Sequence, residues 1–316
     1  MPNPELSCEM IRYPSSDGRH TVAGYLYTMS GAVPRGVIQL SHGMCEYIGR
    51  YRALAEAFAK SGFVVAGNDH LGHGDTAAPE EYGWFADRNG REYVLKDLKA
   101  MNDQLHARYP GLPLVLYGHS MGSFFARWYA EVYPDSISGL VLSGTGGPRA
   151  LNRAGMVLSG AIAGLRGPRY VSPLMVKLSF GSYNDRIENP VSPQAWLSRD
   201  DAAVRSYDAD PKCGFEFTAN NYHEMLKVLT HVSTKKWAGA LPKKLPILLI
   251  AGGSDPVGDY GAGVRAVYGL LGDAGIEDLT CQIYEVARHE LHNETNRQEV
   301  LDYVLAWLDF RWPAAE

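Results

Sequence analysis

Cysteine is scarce and scattered. The 316 residues hold four, Cys8, Cys45, Cys213 and Cys281, and no two form a C-x-x-C pair. Neither a disulfide framework nor a zinc ribbon is expected, and reduced thiols in a cytoplasmic protein fit better. Basic blocks are also missing. Thirty Lys and Arg stand against 35 Asp and Glu, a formal net charge of −5, which leaves a nucleic-acid partner no electrostatic footprint. No apolar stretch reaches the roughly 20 residues that a bilayer span requires; the longest, 155–165, falls well short. Residues 1–10 carry Pro2, Pro4 and Glu5 and no apolar core, which reads against a signal peptide. What remains is ordinary globular composition, 46% hydrophobic and 21% charged. The length suits one large domain with an insert, or two smaller ones.

Short apolar runs at 36–40, 63–66, 114–117, 140–143, 247–251 and 282–286 alternate with helical stripes. Continuous runs of this kind suit parallel strands buried on both faces. The stripes are Tyr51, Leu54 and Phe58; Val94, Leu98, Met101 and Leu105; Met121, Phe125, Trp128 and Val132; and Val300, Tyr303, Trp307 and Leu308. The alternation predicts an α/β fold, a mostly parallel sheet covered on both faces. Before it, residues 13–29 read as a hairpin turning at Ser15-Ser16-Asp17-Gly18. From about 145 to 241 the alternation stops and Gly and Pro punctuate the chain. That predicts a mostly helical insert, with core segments at 1–144 and 242–316.

The motif that carries chemistry is Gly118-His119-Ser120-Met121-Gly122. A G-x-S-x-G match alone is weak, but here a strand precedes it and a helical stripe follows, the setting of a nucleophile elbow. A tight strand-to-helix turn lifts the Ser120 hydroxyl above the sheet and aims the Met121 backbone N–H at the same space, at a helix N-terminus that favours negative charge. A serine hydroxyl needs a base, and the base an orienting carboxylate. In this architecture they follow in the order Ser, Asp or Glu, His. Asp255, in Gly252-Gly253-Ser254-Asp255-Pro256, and His289, in Ala287-Arg288-His289-Glu290, each follow a strand. A second oxyanion donor is expected from Ser41-His42-Gly43-Met44, through the backbone N–H of Met44.

Two other motifs read as structural. Asp69-His70-Leu71-Gly72-His73-Gly74-Asp75 lacks metal-ligand spacing and reads as a shaped loop. Gly144-Thr145-Gly146-Gly147-Pro148-Arg149 lacks the third glycine of a dinucleotide fingerprint. No metal or cofactor is expected.

In order along the chain, His42-Gly43-Met44, Gly49-Arg50-Tyr51, Asp69-x-x-Gly72-His73-Gly74, the Ser120 motif, Asp255-Pro256 and Arg288-His289-Glu290 resemble the monoglyceride lipase and lysophospholipase group of α/β-hydrolases, serine aminopeptidase-like hydrolases. Gly181-Ser182-Tyr183-Asn184 and Trp196-Leu197-Ser198-Arg199-Asp200 resemble bacterial lysophospholipases, so the likeness covers nearly the whole chain. It implies a helical cap over the site and no cofactor. It also implies the same roles for Ser120, His289, Asp255, Met44 and Met121. Cys45 and Tyr47 depart from it, standing where relatives carry glycine and histidine. The expected substrate is a single-acyl-chain ester, monoacylglycerol or lysophospholipid, cleaved through an acyl-enzyme. The cap would make reversible contact with lipid surfaces through 155–165, between Arg153 and Arg166; the competing reading has that segment line the acyl tunnel. The alternatives weighed are an amidase or aminopeptidase using Asp200, Asp201, Asp208 and Asp210 to hold an amine, an acyltransferase, and a non-catalytic binding protein. Epoxide hydrolases and dehalogenases would need aspartate in place of Ser120.

Overall fold

The computed structural model describes residues 5–314; residues 1–4, part of the stretch read against a signal peptide, lie outside the described residues. One eight-stranded sheet runs in the order β1-β2-β4-β3-β5-β6-β7-β8, with β1 Leu6–Pro14, β2 Thr21–Met29, β3 Gly36–Ser41, β4 Phe63–Asn68, β5 Leu114–His119, β6 Gly139–Ser143, β7 Ile247–Gly252 and β8 Leu279–Tyr284. The first two strands pair antiparallel with each other and β2 antiparallel with β4. All other pairs are parallel. This is the α/β-hydrolase fold.

Every residue of β3, β4, β5, β6 and β7 is buried, and period-two alternation divides them between two cores. Val37, Leu114, Leu116, Leu140, Leu142, Ile247 and Leu249 face one side. There they meet Val94, Leu98 and Met101 of α2 (Gly90–Arg108), Phe125 and Tyr129 of α3 (Met121–Val132) and Val264 and Val267 of α9 (Ala262–Asp273). Ile38, Val115, Tyr117, Val141, Leu248 and Ile250 face the other side, against Phe58 of α1 (Arg52–Lys60) and Val300, Val304 and Leu308 of α10 (Arg297–Arg311).

Three sequence expectations shift. The hairpin starts at Leu6, with Leu6 opposite Met29 and Pro14 opposite Thr21; β1 is a mostly exposed edge strand, so its outer half carries no apolar signal. Its turn runs on to His20, where Asp17 Oδ1 accepts the Arg19 and His20 amides at 2.8 and 3.0 Å. The last strand is Leu279–Tyr284, and Glu285 and Val286 are exposed beyond it. The other edge strand is only half-buried, so its pattern is weaker. Along α3, Val132 is exposed while Phe124 and Tyr129 are buried, because this helix packs on the sheet and on neighbouring helices and buries more than one stripe.

Between β6 and β7 lie α4 Ala150–Arg166, α5 Pro173–Phe180, α6 Asp201–Ala209, α7 Ala219–His231 and α8 Lys235–Ala240. Helix α4 lies along α7, and a Cβ on Gly160 would stand 2.7 Å from the His223 ring, so only glycine permits that approach. The α7 helix in turn packs on α2 and α3, and α8 on α3 and α9. No helix among the described residues is long and apolar enough to cross a membrane.

Candidate active site

Ser120 stands between the end of β5 and the start of α3 at φ 51°, ψ −123°, backbone angles that cost a non-glycine residue energy and persist only where neighbours enforce them. The enforcement is visible. Ser120 N–H donates to Ser143 O of β6 at 2.9 Å, and its carbonyl accepts Ser123 N–H at 2.9 Å. A Cβ on Gly122 would run into the carbonyls of Ser41 and His42, so this glycine lets the first turn of α3 sit directly on the end of β3.

A cavity of about 790 Å³ opens above the strand ends, lined by Ser120, His289, Met44 and Met121 among others. Among the described residues, neither the Met44 nor the Met121 backbone N–H has a protein acceptor, as a pair of oxyanion donors requires. Behind His289, Asp255 is fully buried, and its Oδ2 lies 2.8 Å from His289 Nδ1. This contact fixes the Nδ1 proton and leaves Nε2 as the basic nitrogen. The other Asp255 oxygen accepts Val257 N–H at 2.8 Å. Burial pushes the His289 ring toward the neutral form, but the Asp255 carboxylate outweighs it and the pKa is raised above its ordinary 6.5. The other nearby acids do not compete: Asp259 pairs with Arg149 at 3.2 Å, and Glu285 is exposed.

Sequence reasoning missed what holds these groups. Glu46 is buried and accepts Gly43 N–H at 2.6 Å and Tyr51 O–H at 2.7 Å. Arg50 donates to Glu46 at 2.6 Å and forks onto both oxygens of Glu290 at 2.5 and 2.7 Å. One buried cation thus ties the Met44 loop to the residue after His289. Burial pushes Glu290 up, yet Arg50 wins and holds it at about 2. Trp196 and Leu197 back the same loop, accepting the His289 and Glu290 amides at 3.4 and 2.7 Å. Arg50 and Glu290 each stand in a quoted motif and Glu46 lies outside them, but nothing local pairs positions 240 apart.

The Asp69 loop is a shaped loop. Asp69 accepts the Ile48 and Asp75 amides at 2.8 and 2.7 Å, and His42 Nε2 accepts His70 N–H at 2.9 Å. Cys45 sits at φ 57°, in the left-handed region where glycine is the unstrained choice. Its carbonyl is held by Tyr207 O–H at 2.8 Å and Gly214 N–H at 3.0 Å. Tyr47 O–H donates to Asp210 at 2.8 Å.

The family model described as serine aminopeptidase, S33 (Hydrolase_4) matches residues 32–296. The monoacylglycerol lipase of Mycolicibacterium smegmatis is 30% identical over 87% of this chain and 88% of its own. The human monoglyceride lipase is 29% identical over 89% and 83%. A thermostable carboxyl esterase from Bacillus coagulans, solved in complex with glycerol, superposes with a TM-score of 0.89 at 30% identity, covering 96% of this chain and 98% of that one. On this match the chain belongs to the Hydrolase_4 family of α/β-hydrolases and is a carboxylic ester hydrolase.

Proposed function

We propose that the protein cleaves a lipid-like ester with a single acyl chain, a monoacylglycerol or lysophospholipid, through an acyl-enzyme on Ser120. The observation that carries this is the convergence on one cavity of Ser120 and a histidine held 2.8 Å from a fully buried carboxylate. His289 takes the Ser120 proton as the hydroxyl attacks the ester carbonyl, and Asp255 stabilises the imidazolium. The Met44 and Met121 N–H groups receive the oxyanion. His289 returns the proton to the leaving alcohol, then activates the water that releases the acid.

The cavity has an apolar cap wall that suits an acyl chain. Its cap wall includes Leu158, Met175, Met225, Leu226 and Leu229, and its volume of about 790 Å³ suits one small-molecule ligand. None of Asp200, Asp201, Asp208 and Asp210 lines it; Asp200 caps α6 and Asp210 holds Tyr47. Relatives named as monoacylglycerol and monoglyceride lipases support the same substrate class.

Residues 145–241 act as the cap in this reading, with 1–144 and 242–316 as the hydrolase core. Leu158 faces the cavity, which supports the tunnel role for that residue. Val157, Leu165 and Leu174 are 65%, 85% and 50% exposed and do not line it; they are the residues through which the cap would touch lipid.

The test is Ser120→Ala together with labelling by a fluorophosphonate. Labelling of the parent at Ser120 and at least about a thousandfold loss in the variant are expected. A folded variant with near-normal turnover overturns the mechanism. Turnover of mono-, di- and triacylglycerols, lysophospholipids and amino-acid arylamides then tests the substrate class, and preference for any but a single-chain ester rejects it.

A further inference from the structure

One face of α7 forms part of the cavity wall. Tyr222, Met225, Leu226 and Leu229 recur at i, i+3, i+4 and i+7 and all line the cavity, the spacing that puts four side chains on one helical face. Leu229 stands at the foot of this wall, where a Cβ on Gly146 would lie 3.3 Å from Phe124 and 3.6 Å from Leu229. Tyr222 stands two turns away, about 10 Å along the helix axis. Three of the four side chains are wholly apolar, as a wall for an acyl chain requires. The fourth carries a hydroxyl.

That hydroxyl has no work to do within the fold. Tyr222 is 1% exposed, and its Oη has no hydrogen-bond partner among the described residues. Phenylalanine would pack the same ring against Phe217, whose centre lies 5.8 Å away, with no polar group to desolvate, and a buried hydroxyl left unpaired costs stability. Ser179 of α5 and the Cys45 thiol are near enough to bear on its ionisation, yet neither is a hydrogen-bond partner. Burial pushes the phenol above its ordinary 10.0, so it stays protonated, able both to donate and to accept a hydrogen bond. Asn184 Oδ1 is a further orphaned atom of a residue lining the cavity, but Asn184 is only half-buried, and its amide is already held by the Ser192 and Pro193 carbonyls at 3.1 and 3.0 Å.

We propose that Tyr222 sets specificity for the acyl half of the substrate: its hydroxyl pairs with an oxygen carried on the acyl chain, so the preferred ester is that of a hydroxylated acid. The helical face decides for the acyl side, since Met225, Leu226 and Leu229 continue the same wall. The inference rests on the reading of a single-chain ester cleaved on Ser120. A role confined to the cap is the competing one, in which the hydroxyl serves only to draw α7 toward Ser179 of α5.

The test uses water-soluble monoacylglycerols of one chain length: the plain ester, and a series with one hydroxyl moved carbon by carbon along the acyl chain. We would measure kcat/KM for each ester with the parent chain and with Tyr222→Phe, and a thermal melt for each protein. A fixed hydroxyl reads one place on the chain, so the parent should prefer the hydroxylated ester by about tenfold at one or two neighbouring carbons and nowhere else. In Tyr222→Phe that ratio should fall to about one or below, because the substrate hydroxyl is then the unpaired one, and melting should be no lower than in the parent. Tyr222→Met, which also keeps the wall apolar, gives a second reading of the ratio where Tyr222→Phe is unstable. A parent ratio under about twofold at every carbon overturns the proposal with no variant needed. So does a preference spread evenly along the chain, or one that survives in the folded variant. A lower melting temperature with plain and hydroxylated esters slowed alike overturns it in favour of the cap role. If Ser120→Ala still cleaves the plain ester, the acyl-enzyme reading fails and this inference with it. If Ser120→Ala is dead and the parent treats plain and hydroxylated esters alike, only this inference fails.

Discussion

Removing Arg50 should unsettle both fold and site, by an amount that can be worked out. Its guanidinium is shared between two buried carboxylates, at 2.6 Å from Glu46 and at 2.5 and 2.7 Å from Glu290. Arg50→Met keeps the apolar stem and strands both charges. Breaking a buried pair costs about 3–5 kcal/mol. Unfolding entropy of about 2.1 cal/mol/K per residue over 316 residues is roughly 0.66 kcal/mol/K, so the melting temperature should fall by about 5–8 °C at pH 7.5. The pH dependence follows from Glu290. Its folded pKa of about 2 lies below the unfolded value of about 4.3, so its contribution is present above pH 4.3 and is lost as pH falls toward 2. The variant lacks that contribution, so the gap to the parent should narrow as pH falls from about 4.3 toward 2, and any narrowing above that range comes from protonation of the stranded carboxylates, whose burial favours the neutral form. Glu46 also anchors Gly43 N–H at 2.6 Å, so kcat should fall about ten- to a hundredfold through misplacement of the oxyanion loop. Arg50→Lys, which keeps the charge and loses the fork, should fall between. A differential melt and steady-state kinetics check this. An Arg50→Met protein that melts with the parent at pH 7.5, or whose deficit grows on acidification, refutes the reasoning.

Asp255→Asn should lower kcat by about four orders of magnitude, because the imidazole loses the partner that fixes its tautomer. The acid limb of the kcat/KM profile should lie above pH 6.5 in the parent, since His289 must be neutral to act and its pKa is raised; in Asp255→Asn that limb should move to lower pH, because the largest influence opposing burial is removed and only the weaker pull of Glu290 and Glu46 remains. Titrating residual activity across pH 5–9 tests both, and a limb that stays put rejects the Asp255 assignment. Leu158→Asp should cut turnover of long-chain esters and leave vesicle binding as it was, whereas Leu165→Asp should do the reverse. Co-sedimentation with anionic vesicles separates the two, and a parent protein that never sediments removes the lipid-contact proposal.

The central sheet was legible because its strands are buried on both faces, and such strands spell themselves as unbroken apolar runs. The two edges were not. In β1, Ser7, Glu9 and Arg12 stand among the apolar residues of a mostly exposed strand, and β8 is half-buried, so the apparent run slid toward Val286. The stripe Met121, Phe125, Trp128 and Val132 located α3 but missed part of its buried surface, for the opposite reason. Phe124, Phe125 and Tyr129 are all buried, and a helix enclosed on several sides has no single face to read.

At the site, the legible residues are those whose local context encodes their geometry. The run from β5 through Ser120 to Met121 is a complete instruction, strand, forced turn and helix. Asp255 and His289 stand out in the sequence through strand ends and chain order, and the structure sets them 2.8 Å apart. Distant ties carry no such mark. Arg127 reaches Val232, 105 positions on, and Arg50 reaches Glu290, 240 positions on; in sequence Arg127 belongs to no motif, and Gly49-Arg50-Tyr51 marks Arg50 without naming its partner. The Cys45 departure belongs to the same class. A residue at φ 57° where glycine would be unstrained needs outside support, and that support comes from Tyr207 and Gly214, both from the segment between β6 and β7. The loop that holds Met44 and Cys45 and that segment therefore constrain one another, which is why a change at Cys45 or Tyr47 has to be read together with Tyr207, Asp210 and Gly214 rather than as a local substitution.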